Sequence, residues 1–216
     1  MNRGNSYSSI VISGLFLFIF LYLTAAYRYP GGWPGNPSGA GFSWLHNYWC
    51  NLLNETALNG KPNTGRLPAM GGMLVLGITM LIFWMQLGAV IRSTHPNTAK
   101  AMLLSGAVSS VTMLYLPFGF HDGIVNGSSA AGLIAVTLLM HFLYTMRYRG
   151  LFIWGLLNVL LVGLNNYLYY TEDGTGHLPW VQKISFLSFL LWMAVISRSV
   201  RNPSHAEPQQ YVPSSS

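Results

Sequence analysis

The stretch "AMGGMLVLGITMLIFWMQLGAVI", residues 69–91, runs for twenty-three residues without a charge. The hydrocarbon core of a bilayer is about 30 Å thick and takes a helix of about 20 mostly apolar residues. Water is absent there, so a spanning segment must satisfy its own backbone, which a helix does. A surface helix of a soluble domain would show a charged face; this one has none. Pro68 stands immediately before the run, at a position where proline starts helices well. The stretch reads as a transmembrane helix, and that reading decides the fold class.

Five further stretches repeat the pattern, at 8–27, 101–120, 124–146, 151–170 and 180–196. Of the 216 residues, 51% are hydrophobic and only 7% charged, against about a quarter charged in soluble domains. The expectation is an all-α fold, a polytopic transmembrane helix bundle of six spans forming a single domain over 1–200. The segment 201–216, rich in proline and serine, is expected to be a disordered cytoplasmic tail. No period of a solenoid or of an inverted-repeat transporter is present.

Charge placement orients the bundle. Arg3, Arg92, Lys100, Arg147, Arg149, Arg198 and Arg201 put seven of eleven basic residues on one side. Glu55, Asp122, Glu172 and Asp173 put four of five acids on the other. The positive-inside rule then makes both termini cytoplasmic, with a plasma membrane as the expected location. Because the basic residues stand singly at span ends, the net charge of +6 reads as anchoring rather than nucleic-acid binding. The first apolar run followed by "TAA" also admits a signal peptide cleaved after Ala26; an uncleaved anchor is the expectation. The lone cysteine, Cys50, excludes an intramolecular disulfide.

The long outer connection, 28–67, has two parts. Five glycines and three prolines over 30–41 predict an irregular, turn-rich loop. From 42 to 57 neither residue occurs, and the periodicity predicts a short amphipathic helix. Phe42, Leu45, Trp49, Leu52 and Leu53 share one face; Ser43, Asn47, Cys50, Asn51, Asn54 and Glu55 share the other. Membrane-surface helices carry lysine or arginine on the polar face, and this one does not. Its amides suit protein partners. Either the polar face turns inward and caps the bundle, or the helix lies flat with its asparagines in water.

Polar residues at membrane depth are costly and therefore informative. His121 and Asp122 fall at the turn between spans three and four, with Asn126 one turn further on. Asn158 and Asn165 share a face of span five, beside Asn166, and Gln182 and Lys183 open span six. All but Asn158 lie toward the outer side. One reading gathers His121, Asp122, Asn47, Glu55, Asn166 and Lys183 into an outer pocket, with a His–Asp pair as base and orienter. Others make them helix-joining hydrogen bonds or interfacial groups reaching water. Small residues at 106–110 and 127–132 are read as close helix packing. There is no phosphate loop, no HExxH and no G-x-S-x-G. "NET" at 54–56 and "NGS" at 126–128 match glycosylation acceptors on the outer side, which a bacterial membrane would leave unmodified.

The span count, the long first outer connection and the segment "NYWCNLLNE", 47–55, resemble a broad group of bacterial six-helix membrane proteins of unknown function. That group is distantly similar to the DRAM-type membrane proteins. The resemblance covers most of the chain through loose motifs and implies a topology rather than a reaction. Such proteins often carry an acidic residue before the leucine of this segment; here Asn51 stands there, so no charged role carries over. The segment is also faintly similar to alkaline ceramidase-like hydrolases, whose late paired-histidine motif is missing, since span six holds no histidine.

The expected function is non-catalytic: binding of a lipid or other apolar ligand, or support of a membrane partner. Membrane lipids or a membrane protein are the expected partners, and neither nucleic acid, cofactor nor metal is expected. The ligand-binding or polar-mouth candidates are Asn47, Asn51, Glu55, Asn126, Asn165, Asn166 and Lys183. The alternative is an outer-leaflet lipid hydrolase or transferase. There His121 would be the base, Asp122 its orienter, and Asn47, Asn51 and Lys183 would stabilise negative charge; metal is optional, through His46 and Glu55. Small-solute transport is the third reading, weakened by the lack of charge inside the spans.

Overall fold

The computed structural model describes residues 3–115, 121–171 and 176–200. The expected tail at 201–216 and the acidic turn with Glu172 and Asp173 lie outside them. Six helices dominate: α1 (Arg3–Tyr27), α2 (Arg66–Ile91), α3 (Pro96–Met113), α4 (His121–Thr145), α5 (Arg149–Thr171) and α6 (Leu178–Ser199). Five are long and apolar enough to cross a membrane. The exception is α3, eighteen residues long, which carries several serines and threonines.

Neighbours in sequence pack as neighbours in space, and α1 also meets α6, so the order closes on itself. Along α1, Val11, Leu15, Phe18, Tyr22 and Ala25 are buried, a stripe with alternating steps of four and three that presents one seam to the bundle. α2 is central: it touches α1, α3 and α6, and Ala69, Leu76, Phe83, Trp84, Leu87 and Ile91 all face inward. Gly106 of α3 lets Trp84 lie flat against its backbone. A Cβ there would stand 2.4 Å from the indole, and small residues are what allow helices such close approach. α5 is peripheral, with Gly155 and Asn158 its buried residues. Leu156, Leu160, Val162 and Tyr170 on its other sides are exposed, as expected of a surface solvated by lipid tails.

Two polar devices hold the helices in register. At the end of the bundle away from the long α1–α2 connection, Gln86 of α2 donates to Ser8 Oγ of α1 at 3.1 Å and to the Ser197 carbonyl of α6 at 2.7 Å. Ser197 Oγ donates back to Gln86 Oε1 at 2.6 Å, and Ser8 Oγ donates to the Ser197 carbonyl. Along α5 and α6 runs a ladder. Trp192 Nε1 donates to the Leu151 carbonyl at 2.8 Å, Ser188 Oγ to Asn158 Oδ1 at 2.7 Å, and Asn165 Nδ2 to Ser185 Oγ at 2.6 Å. Each bond satisfies a polar group inside the bundle while fixing two helices.

The outer connection differs from its sequence reading in both parts. The stretch expected to be irregular forms a hairpin, β1 (Gly31–Trp33) against β2 (Asn36–Ala40), antiparallel. Pro34 and Gly35 turn it, Gly35 at φ +84°, the positive φ that the second central position of a type II turn requires. Pro37 is tolerated because a two-stranded sheet has only edges. The continuous helix expected over 42–57 is not formed. A turn at 44–46 is followed by a five-residue 3-10 helix, Trp49–Leu53. The cause is competition by amide side chains for backbone groups. Asn47 Oδ1 accepts the Ser43 N–H at 2.8 Å, and Asn47 Nδ2 donates to the Gly32 carbonyl at 2.9 Å. That pins residue 47 to the hairpin and stops a helix from running through it. Asn51 Oδ1 then accepts the Tyr48 N–H at 2.7 Å.

Candidate functional site

Built from these pieces, the outer connection is a folded cap seated on α1, α2 and α6. Its apolar side points down. Trp49 packs against Phe18, Tyr22 and Phe186, ring centroids 6.1, 5.4 and 5.1 Å away, and Leu52 is fully buried. Aromatic groups at such separations gain about 0.5–1.5 kcal/mol per pair beyond area burial. The Trp49 N–H donates to Gln182 Oε1 of α6 at 3.3 Å.

Asn47 and Lys183 are the two predicted residues that the fold brings together. Lys183, 7% exposed, donates from Nζ to the Asn47 carbonyl and, at 2.9 Å, to the Pro179 carbonyl. The same nitrogen lies 5.6 Å from the Phe42 ring centroid, within cation–π reach. A cation is thus held by dipoles and a ring, and its bond to Asn47 crosses from α6 to the cap while its bond to Pro179 stays within α6. Cys50 lies beside it, half-buried. Burial pushes the Cys50 thiol up from its ordinary value, and hydrogen bonds from the Cys50 and Asn51 backbone, with a smaller effect of the Lys183 charge, offset part of that.

The remaining predicted residues do not converge with them. Asn51 is spent on the 3-10 helix start. Glu55 pairs with Arg66 at 2.6 Å, its side chain 77% exposed, so it faces water. Asn126 and Asn166 are exposed on α4 and α5. Asn165 belongs to the α5–α6 ladder. His121 and Asp122 open α4, but their side chains lie outside the described residues, so the pair adds no geometry to the cluster. His46, suggested with Glu55 as an optional metal ligand, instead meets Ser43 Oγ at 2.9 Å and stacks on Trp33. Among the described residues no group of three or more metal-ligating side chains occurs.

Two residues that matter here were not singled out in the sequence. Buried Asn63 donates to the Leu52 and Asn54 carbonyls at 3.0 and 2.9 Å and accepts the Gly65 N–H at 2.9 Å. It ties the end of the 3-10 helix to the start of α2. Gln86 is the other; a lone amide inside a span was the available signal. No family model, no curated protein and no solved structure matches the chain.

Proposed function

We propose that the chain is a six-span plasma-membrane protein of the bacterial inner-membrane type, with both termini inside. On this reading it acts without catalysis, holding a lipid or another apolar ligand or supporting a membrane partner. The placement of basic residues supports the orientation. For the sixth span, α3 packs between α2 and α4, and its hydroxyls fold back on its own carbonyls. Ser105, Ser110 and Thr112 donate to residues four earlier at 2.9, 2.7 and 2.7 Å, which lowers their cost in lipid.

One contrast carries the functional reading. Among the described residues, the polar groups gathered at the cap are consumed by structure, whereas the apolar flank stays open. Lys183, Asn47, Asn51 and Asn63 all hold the cap. Between α1 and α2 lies a shallow, open groove of about 440 Å³ lined by Ile10, Gly14, Leu17, Val75, Ile78 and Thr79, with Ser9 and Ser13 at its wall. The test is purification in mild detergent, lipid identification by mass spectrometry, and a turnover assay on mixed lipid vesicles. Stoichiometric retained lipid or a co-purifying membrane protein, with no turnover, is expected. Lipid turnover abolished by His121→Ala would overturn the proposal in favour of the hydrolase.

A further inference from the structure

The cap divides into two halves of unlike charge. From Tyr29 to Asn54 no Asp, Glu, Lys or Arg occurs, whereas Glu55, Lys61 and Arg66 follow within the next turn-rich stretch. A surface standing in water carries charge on about a quarter to a third of its residues. The first half instead exposes Trp44 and Leu45 at its turn, 48% and 61% open. Its depth in the bundle is set by packing. α1 is 25 residues long, about 38 Å, against a hydrocarbon core of about 30 Å, so its ends reach only a few ångströms beyond such a core. Trp49 of the cap packs on Phe18 and Phe186. Those rings lie nine residues before the end of α1 and eight after the start of α6, about 12–14 Å along a helix. The underside of the cap therefore sits below the helix ends. The Phe42 ring lies 5.6 Å from the Lys183 ammonium, and Trp44 packs edge-on against Phe42 at 5.2 Å, which brings the exposed turn beside the first turns of α6. Tyr27 at the end of α1, Tyr170 near the end of α5 and Trp180 at the start of α6 are exposed at the same end of the bundle. Tyrosine and tryptophan gather at membrane–water interfaces, where the ring sits at headgroup level.

We propose that the uncharged half of the cap is seated in the membrane–water interface beside α6, with Trp44 and Leu45 inserted among the lipids of the leaflet on that side. This rests on the membrane-spanning reading and names a lipid surface as the partner of the cap. A formal charge carried into that zone would cost desolvation, and residues 29–54 bring none. Segments that bind a membrane from water use lysine or arginine to reach anionic headgroups. A cap tethered at both ends by α1 and α2 needs no such recruitment, so burial of the ring and the leucine carries the insertion. The charged half, with Glu55 and Lys61 exposed, faces water.

The test uses the full chain with Cys50→Ala in phosphatidylcholine vesicles, spin-labelled at Leu45→Cys, Lys61→Cys or Leu160→Cys in turn. Leu160 is exposed on α5 and reports the surroundings of the spans. Collisions with oxygen, which concentrates in lipid, and with a water-soluble nickel chelate report the solvent of each label. The oxygen-to-nickel ratio at 45 is expected to exceed that at 61 severalfold and to approach that at 160. The depth should be about 5–10 Å below the headgroup boundary, where the apolar faces of interfacial segments lie, and added salt should not change it. Wild-type protein gives a second reading that no substitution disturbs. Phosphatidylcholine with a photoactivatable diazirine at the top of its acyl chain should modify residues 42–48 and spare 55–62; equal modification of both segments, or of neither, would overturn the inference. A label at 45 as open to nickel as the one at 61, with 160 still oxygen-exposed, would overturn it and leave the spans standing. A label at 45 shielded from both reagents would also overturn it, since a second copy of the chain would then cover the turn. Nickel access at 160 would remove the spanning reading and the inference together.

Discussion

At Lys183 a charge sits beneath a folded cap with carbonyl dipoles and a ring around it. Hydrogen bonds to charged groups contribute about 1.5–3 kcal/mol each, so the Lys183 bond to the Asn47 carbonyl ties cap to bundle on a scale comparable with the burial of Leu52. Asn47 supports it from above. Asn47→Ala would leave the Gly32 carbonyl and the Ser43 N–H without partners inside the cap, and the expected loss is about 1–3 kcal/mol of stability, measurable by denaturant titration in detergent. A loss below about 0.5 kcal/mol would mean that the Asn47 bonds do not hold the cap. Cys50 gives a pH signature. Its thiol is raised by burial, so the folded state favours the protonated form. That contribution to stability is complete below the ordinary thiol range and is lost as pH rises through the raised folded value. Maleimide reaction of the native protein should accordingly follow a profile displaced to higher pH than that of the unfolded chain; coincident profiles would contradict the shielding.

At the scale of elements, the contacts that matter join helices distant in sequence. Gln86 joins α1, α2 and α6 at one level. Gln86→Leu should lower stability by about 1–2 kcal/mol, the upper part of the range for interhelical bonds in membranes, as read by unfolding in a denaturing detergent; no change would show the cluster to be incidental. Gly106→Val should cost about 1–3 kcal/mol through overpacking, since even a Cβ there stands 2.4 Å from Trp84. Gly106→Ala should cost less, and reversal of that order would contradict the packing described for α2 and α3. The small residues at 106–110 were legible as packing residues because four-residue spacing repeats along one helix face. The Ser8–Gln86–Ser197 cluster was not. Its members come from three helices, and nothing local links residue 8 to residue 197.

At the scale of the whole molecule, the helices were readable because bilayer thickness imposes one length and one polarity on every span. The starts and ends of α2 and α5 fall within a few residues of the apolar runs at 69–91 and 151–170. The cap was misread for the converse reason. Over 42–57 the apolar spacing is helical, but Asn51 takes the Tyr48 N–H that a helix would have needed and Asn47 is tied to the Gly32 carbonyl of the hairpin, and periodicity does not register that competition. The gathering of candidate residues was legible only at Asn47 and Lys183, and the residue that ties the cap's end, Asn63, is hidden in a turn. The connection between α1 and α2 forms a closed cap held on the bundle by Lys183. Labelling of Cys50 in intact cells with a membrane-impermeant maleimide tests it most directly. The account predicts slow labelling of the native protein, full labelling after denaturation, and labelling at least roughly tenfold faster in intact cells for Lys183→Met, from loss of the charged bonds. Native labelling as fast as in the denatured chain, or labelling of Lys183→Met only after the cells are permeabilised, would contradict it.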